Sequence, residues 1–200
     1  AAVAQELREA GAWSCPTLIV MQKWCQGAEA AALLARPEMR YVSPFMRAAW
    51  NPEAPSNYLA SMPAERVQAA HDKLPFEQKA VRALRDAGAG ILLGTDMGNP
   101  FVTAGFALHE ELGYLVAAGL TPYEALRSGT AEAARCMRAA DEWGTLAVGR
   151  RADLLLLLAN PLEDVRNAQK RAGVVLHGRW LSEDELQAEL ERRAVEFEKR

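Results

Sequence analysis

Cysteine is scarce in this chain of 200 residues: Cys15, Cys25 and Cys136 are odd in number and far apart. They offer neither a disulfide framework nor a Cys-x-x-Cys metal spacing, and read as reduced core thiols. Charge of one sign is missing as well. Lys plus Arg number 23 against 26 Asp plus Glu, a net charge of −3 that leaves no electrostatic footprint for a nucleic-acid partner or an anionic membrane. Long apolar runs are absent, because the longest, Leu154 to Ala159, is far short of the roughly 18 residues that span a bilayer. The histidines His71, His109 and His177 form no H-x-H or H-x-x-x-H pair, so packing or surface duty is the expectation for each. No G-x-S-x-G occurs, and Gly88, Gly90 and Gly94 miss the dinucleotide spacing and precede the strand they should follow. What is present is ordinary: 50% hydrophobic and 24% charged residues, the balance of a folded globular chain with a sizeable core.

Helix and strand signals alternate. Ala1 to Ala10 reads as a helix without a lead-in, as if a longer chain had been entered partway, and Gly11 suits its end. Thr17 to Met21 is an apolar run expected to be a strand. Ala64 to Ala87 has helical periodicity, with Pro75 as a candidate break, and ends at Gly88; Ile91 to Leu93 is a second strand. Strands apolar on both sides, spaced by helices, belong to a covered parallel sheet, so the class is α/β. Thr103 to Ala118 predicts a helix burying Phe106, Leu108, Leu112, Leu115 and Val116. Thr121, Pro122 and Glu124 form a capping box opening helical structure to about Met137. Beyond Gly144 the pattern turns to β, with a buried strand at Asp153 to Leu158 and another at Gly173 to His177. Ser182 and Glu185 make a second capping box, starting a charged helix with the apolar stripe Leu186, Leu190, Ala194 and Phe197. Gln22 to Pro63 is the long proline-bearing connection, and its aromatics Trp24, Tyr41, Phe45, Trp50 and Tyr58 suggest a lid over the sheet.

The candidate chemistry lies in Gly90 to Phe101. Asp96 stands just past the C-terminal end of a buried parallel strand, between Gly94 and Gly98, the edge where α/β folds collect catalytic groups. The residue itself is compatible with catalysis, with metal binding, or with a turn-capping aspartate; a phosphotransferase aspartate would lack a Mg²⁺ partner motif. Gln22, Trp24, Tyr41, Asn99 and Phe101 are candidates by position for lining a substrate pocket at the same edge.

The strings GILLGTDMG, NPF, LHEEL, LVAAGLTPYEALRSGTAEAAR, GTLAVGRRADLLLLLANPLEDV and VVLHGRW, in that order, resemble the C-terminal part of the amidohydrolase superfamily, with the imidazolonepropionase-like and dipeptidase-like members most similar. The resemblance implies the C-terminal part of a (β/α)8 TIM-like barrel over residues 1–140, strands of a small β-sandwich over 141–181, and a C-terminal helix over 182–200. It implies hydrolysis of a C–N bond in a small-molecule substrate, an amide, cyclic amide or dipeptide, with a divalent metal, commonly zinc. Asp96 would then be a metal contact and the acid/base that takes a proton from water and hands it to the leaving nitrogen. The family's H-x-H pair, further histidines and lysine are not in this sequence, and a full barrel takes about 250 residues. The expectation is a portion of a longer enzyme, with the last two barrel strands at Thr17–Met21 and Ile91–Leu93. Such a portion is expected to be inactive and metal-free on its own, since one carboxylate does not hold a catalytic zinc. The apolar edge of the first strand, Thr17–Met21, exposed where barrel neighbours are missing, would favour aggregation or a homo-oligomer, and unpaired cysteines make the cytoplasm the default location. The alternative is a noncatalytic or partner-completed α/β module.

Overall fold

The computed structural model describes residues 1–26, 29–51, 53 and 64–199. Helix α1 (Ala2–Glu9) ends where Gly11 takes the left-handed conformation (φ 62°), which costs glycine nothing. Strand β1 (Trp13–Ser14) follows at once, and Thr17 (φ 48°) swings the chain into α2 (Leu18–Cys25). The expected strand at Thr17–Met21 is therefore corrected. The strand lies earlier, and Leu18 and Ile19, both fully buried, form the inner side of a helix. A short apolar run fits a buried strand or a buried helix equally well, and periodicity cannot separate them.

The segment expected to be a lid is helical where it is described. It contains α3 (Ala30–Leu34), a 3₁₀ segment (Pro37–Tyr41) and α4 (Pro44–Trp50), the last capped by the Ser43 hydroxyl. Ala30, Leu33, Met39, Val42 and Trp50 of these pieces enclose Phe101, so the segment is a helical subassembly with its own core. Pro52, Pro55, Tyr58 and Pro63 lie outside the described residues. Helix α5 (Ala64–Ala87) runs through Pro75, and Val81 and Leu84 bury its C-terminal half.

Strand β2 (Gly90–Ile91) lies parallel to β1, pairing Trp13 with Gly90 and Ser14 with Ile91. Gly90 has room for no side chain, because a Cβ there would meet the Trp13 ring. Helix α6 (Phe106–Ala117) places Leu112 and Leu115 in the core shared by α1, α2, α5 and Ile91. Leu108, expected inside, is 40% exposed, and Glu111 is wholly buried on that side instead. The Thr121–Glu124 capping box forms as expected and opens α7 (Pro122–Ser128); the chain breaks at Gly129 and resumes as α8 (Ala131–Cys136).

A three-stranded antiparallel sheet follows, made of β3 (Leu154–Leu157), β4 (Arg171–Leu176) and β5 (Arg179–Ser182) in that order. The expected buried strand at Asp153 to Leu158 is corrected: Leu154, Leu155 and Leu156 of β3 and Leu158 just beyond it are 38%, 47%, 56% and 73% exposed, so both faces of the strand meet solvent, and among the described residues β3 pairs with β4 alone. A 3₁₀ turn, Val165–Gln169, ties this sheet to the main core through Val165 and Ala168. Helix α9 (Glu183–Glu198) begins at the Ser182–Glu185 capping box and buries Ala194.

Candidate functional site

The β1–β2 pair fixes a direction. Both strands run the same way, so their carboxyl ends lie together, and Cys15 and Asp96 emerge there on adjacent chains. Gly94 lets them come close, since a Cβ at Gly94 would collide with the Cys15 sulfur. Cys15, read as a core thiol, is exposed; burial of part of its surface, then the charges of Glu111 and Asp96, hold its pKa up and its thiolate population down.

Asp96 is exposed and takes a left-handed backbone conformation (φ 50°), uncommon outside glycine but tolerated by Asp and Asn. Asn99 holds the turn. Its amide nitrogen donates to the Asp96 Oδ2 at 2.9 Å and to the Asp96 carbonyl at 3.0 Å. Of the expected site residues, these two are brought together. The others pack elsewhere: Phe101 (φ 63°) is 2% exposed against Trp50, ring centroids 5.5 Å apart, and Trp24 joins that same cluster. Tyr41 stacks on Phe106 at 5.5 Å, and Gln22 lies half-buried on α2.

Two residues the sequence reading passed over pin this edge. Glu111 accepts hydrogen bonds from the backbone N–H of Leu18 (2.9 Å) and of Ile19 (2.7 Å). Burial pushes its pKa up to about 7, against the two amides, which favour the anion. Its neighbour Glu110 takes Lys23, only 1% exposed, at 2.6 Å, and Arg36 at 3.2 Å. The signal was available: Ala107, Glu111 and Leu115 fall four apart on one stripe, so an acid interrupts a buried face.

A cavity of about 400 Å³ is at the opposite end of the strands, between Arg8, Trp13, Arg85, Gly90, Arg127 and Glu132. Neither Asp96 nor Cys15 lines it. Among the described residues no group of three or more His, Cys, Asp or Glu could hold a metal ion. Asp96 and Cys15 alone do not fit a catalytic divalent metal, which takes three or more protein ligands. None of the described helices is long and apolar enough to cross a membrane.

A parallel strand pair flanked by helices, with the exposed Asp96 past its carboxyl edge, makes this an α/β protein. Comparison makes that class specific: the model of the amidohydrolase family matches residues 33–181, and the chain belongs to that family. An imidazolonepropionase from Deinococcus deserti is 41% identical over 85 residues, covering 42% of this chain and 21% of that protein. A bottromycin amidohydrolase structure superposes with a TM-score of 0.71 at 25% identity, over 94% of this chain and 40% of the other. A prolidase bound to N-methylphosphonate-L-proline gives a TM-score of 0.59 at 25% identity, over 90% and 37%. The chain thus spans about a fifth of the curated relative and about two fifths of these structures.

Proposed function

We propose that these residues are the C-terminal part of a metal-dependent hydrolase of C–N bonds, with Asp96 as its general acid/base. The carrying observation is the placement of Asp96: past the end of β2, exposed, and steered by Asn99. A carboxylate so placed accepts a proton from an attacking water and returns it to the departing nitrogen, which makes an amine leaving group possible. Asn99 orients the acid by donating to one oxygen and leaves the other for the water. The divalent metal implied by the family, with zinc the expected ion, would need ligands such as an H-x-H pair from outside these 200 residues. The substrate class is a small amide, cyclic amide or dipeptide, in line with the imidazolonepropionase and prolidase among its relatives.

The test is Asp96→Asn in the enzyme that includes the H-x-H portion, assayed on imidazolonepropionate and on an Xaa-Pro dipeptide. The expected result is a fall in kcat of about 10²- to 10⁴-fold with the unfolding midpoint unchanged. Unaltered turnover on a substrate that the parent enzyme cleaves would overturn the assignment.

A further inference from the structure

We propose that Glu111 is a positioning residue, a clamp from α6 that caps α2 and so fixes the end of β1 against the turn carrying Asp96. The inference deepens the reading of Asp96 given above and rests on it for its functional half.

Helix α2 starts without a local cap. Thr17 is left-handed, its side chain makes no capping bond, and the first turn contains no acidic residue. Amides at the start of a helix have no partner within it, and leaving them buried and unpaired is costly. Glu111 supplies what the local sequence omits, from 93 and 92 residues away, with one oxygen on each amide. Its side chain is wholly buried, so water does not compete. Glu110, next on the helix, adds the Lys23 contact one to two turns further along α2, which fixes the rotation of α2 on α6.

The geometry continues to Asp96. Leu18 follows Thr17, two residues beyond Cys15, and Cys15 fills the space that a Cβ at Gly94 would occupy, two residues before Asp96. The cap, the strand end, the thiol and the glycine form one packed path from Glu111 to the acid. If the amides of Leu18 and Ile19 are released, Thr17 loses the anchor that holds its left-handed turn, and the Cys15–Gly94 contact loses its register.

Two variants separate the clamp from a merely space-filling role. Glu111→Met keeps the volume and has no oxygen; Glu111→Gln keeps one acceptor. Amide hydrogen exchange at pH 8 is expected to speed up about 10- to 100-fold at both Leu18 and Ile19 in Glu111→Met, and at one of the two in Glu111→Gln, with Val81 and Leu115 unchanged. In the enzyme with the H-x-H portion, Glu111→Met is expected to lower kcat at least tenfold with KM held within twofold, and Glu111→Gln to restore part of it. Protection unchanged at both amides in Glu111→Met, or a loss spread evenly to Val81 and Leu115, overturns the clamp. Should Glu111→Met fail to fold, Glu111→Gln decides alone by freeing one amide or neither. An unaffected kcat in Glu111→Met, alongside a crippled Asp96→Asn, overturns the positioning role and leaves Asp96 standing. An unaffected Asp96→Asn overturns the reading of Asp96 and leaves the exchange result to judge the clamp.

Discussion

The pair Lys23 and Glu110 is unequal, and the inequality predicts which half is costlier to remove. The ammonium of Lys23 is 1% exposed and its partner among the described residues is Glu110, at 2.6 Å. Glu110 is 23% exposed and also holds Arg36, at 3.2 and 3.3 Å. Replacing Lys23 by Met fills the same space and leaves Glu110 with Arg36 and some water, so the loss is about 1–2 kcal/mol. Replacing Glu110 by Leu strands a buried cation, which costs about 3–5 kcal/mol. The double variant removes the stranded charge and should be more stable than Glu110→Leu alone, giving a coupling of about 1–3 kcal/mol. Urea unfolding followed by circular dichroism at pH 7 measures all four proteins, with the slope checked for constancy. Equal losses for the two single variants, or a double variant less stable than Glu110→Leu, would refute the account of Lys23 as a cation dependent on one partner.

Titration should also report on Glu111. Its folded pKa of about 7 lies above the ordinary carboxylate value of 4.5, raised by burial and by Glu77, so its contribution to stability is complete below about pH 4.5 and is lost as the pH rises through about 7. The groups facing it are Glu77 on α5, Cys15 on the β1 side and Tyr114 on its own helix, whose pKa burial lifts to about 12. Wild type minus Glu111→Gln stability, from urea midpoints, should fall by about 3 kcal/mol between pH 4.5 and 8, and a flat difference refutes it. The exposed edge strand predicts association: wild type should self-associate with concentration in sedimentation, and Leu156→Lys should abolish this by placing a charge at the middle of β3. A wild type monomeric at high concentration would refute that role for β3.

Local rules were legible wherever the deciding interaction lay within a few residues. Both capping boxes are spelled out by Thr121–Glu124 and Ser182–Glu185, and each forms as written. Gly11 and Gly88 end helices with φ values of 62° and 72°. Family membership was legible because several motifs occur in one order, and the placement of Asp96 past β2 because a strand pattern leads directly to it. Readings failed where a distant partner decides. Thr17–Met21 is apolar enough for a strand, yet Glu111 supplies the cap that lets α2 start there. The leucines of β3 look like a core, but both faces of that strand meet solvent. Phe101, placed by sequence near the mouth, fills the core of the α3–α4 subassembly, whose existence the proline content obscured.

Three acids converge on the helix α6 and β2 side of the molecule, and their surroundings decide which of them is free to move protons. Glu110 is held in ion pairs with Lys23 and Arg36. Glu111 has both oxygens committed to amides in a place water does not reach, so although its pKa suits proton transfer near neutrality, no substrate atom can approach it. Asp96 is exposed, is steered by a neutral amide and holds no cation among the described residues. Reactivity needs access before it needs a tuned pKa, because proton transfer requires hydrogen-bond contact with the reacting atom. By that criterion Glu111 is scaffold, and Asp96, beside the glycines, is the acid of the three that a substrate can reach, as the proposed role requires. Glu111 and Asp96 are therefore complementary: one is buried so that the strand end stays fixed, and the other is exposed on that fixed end.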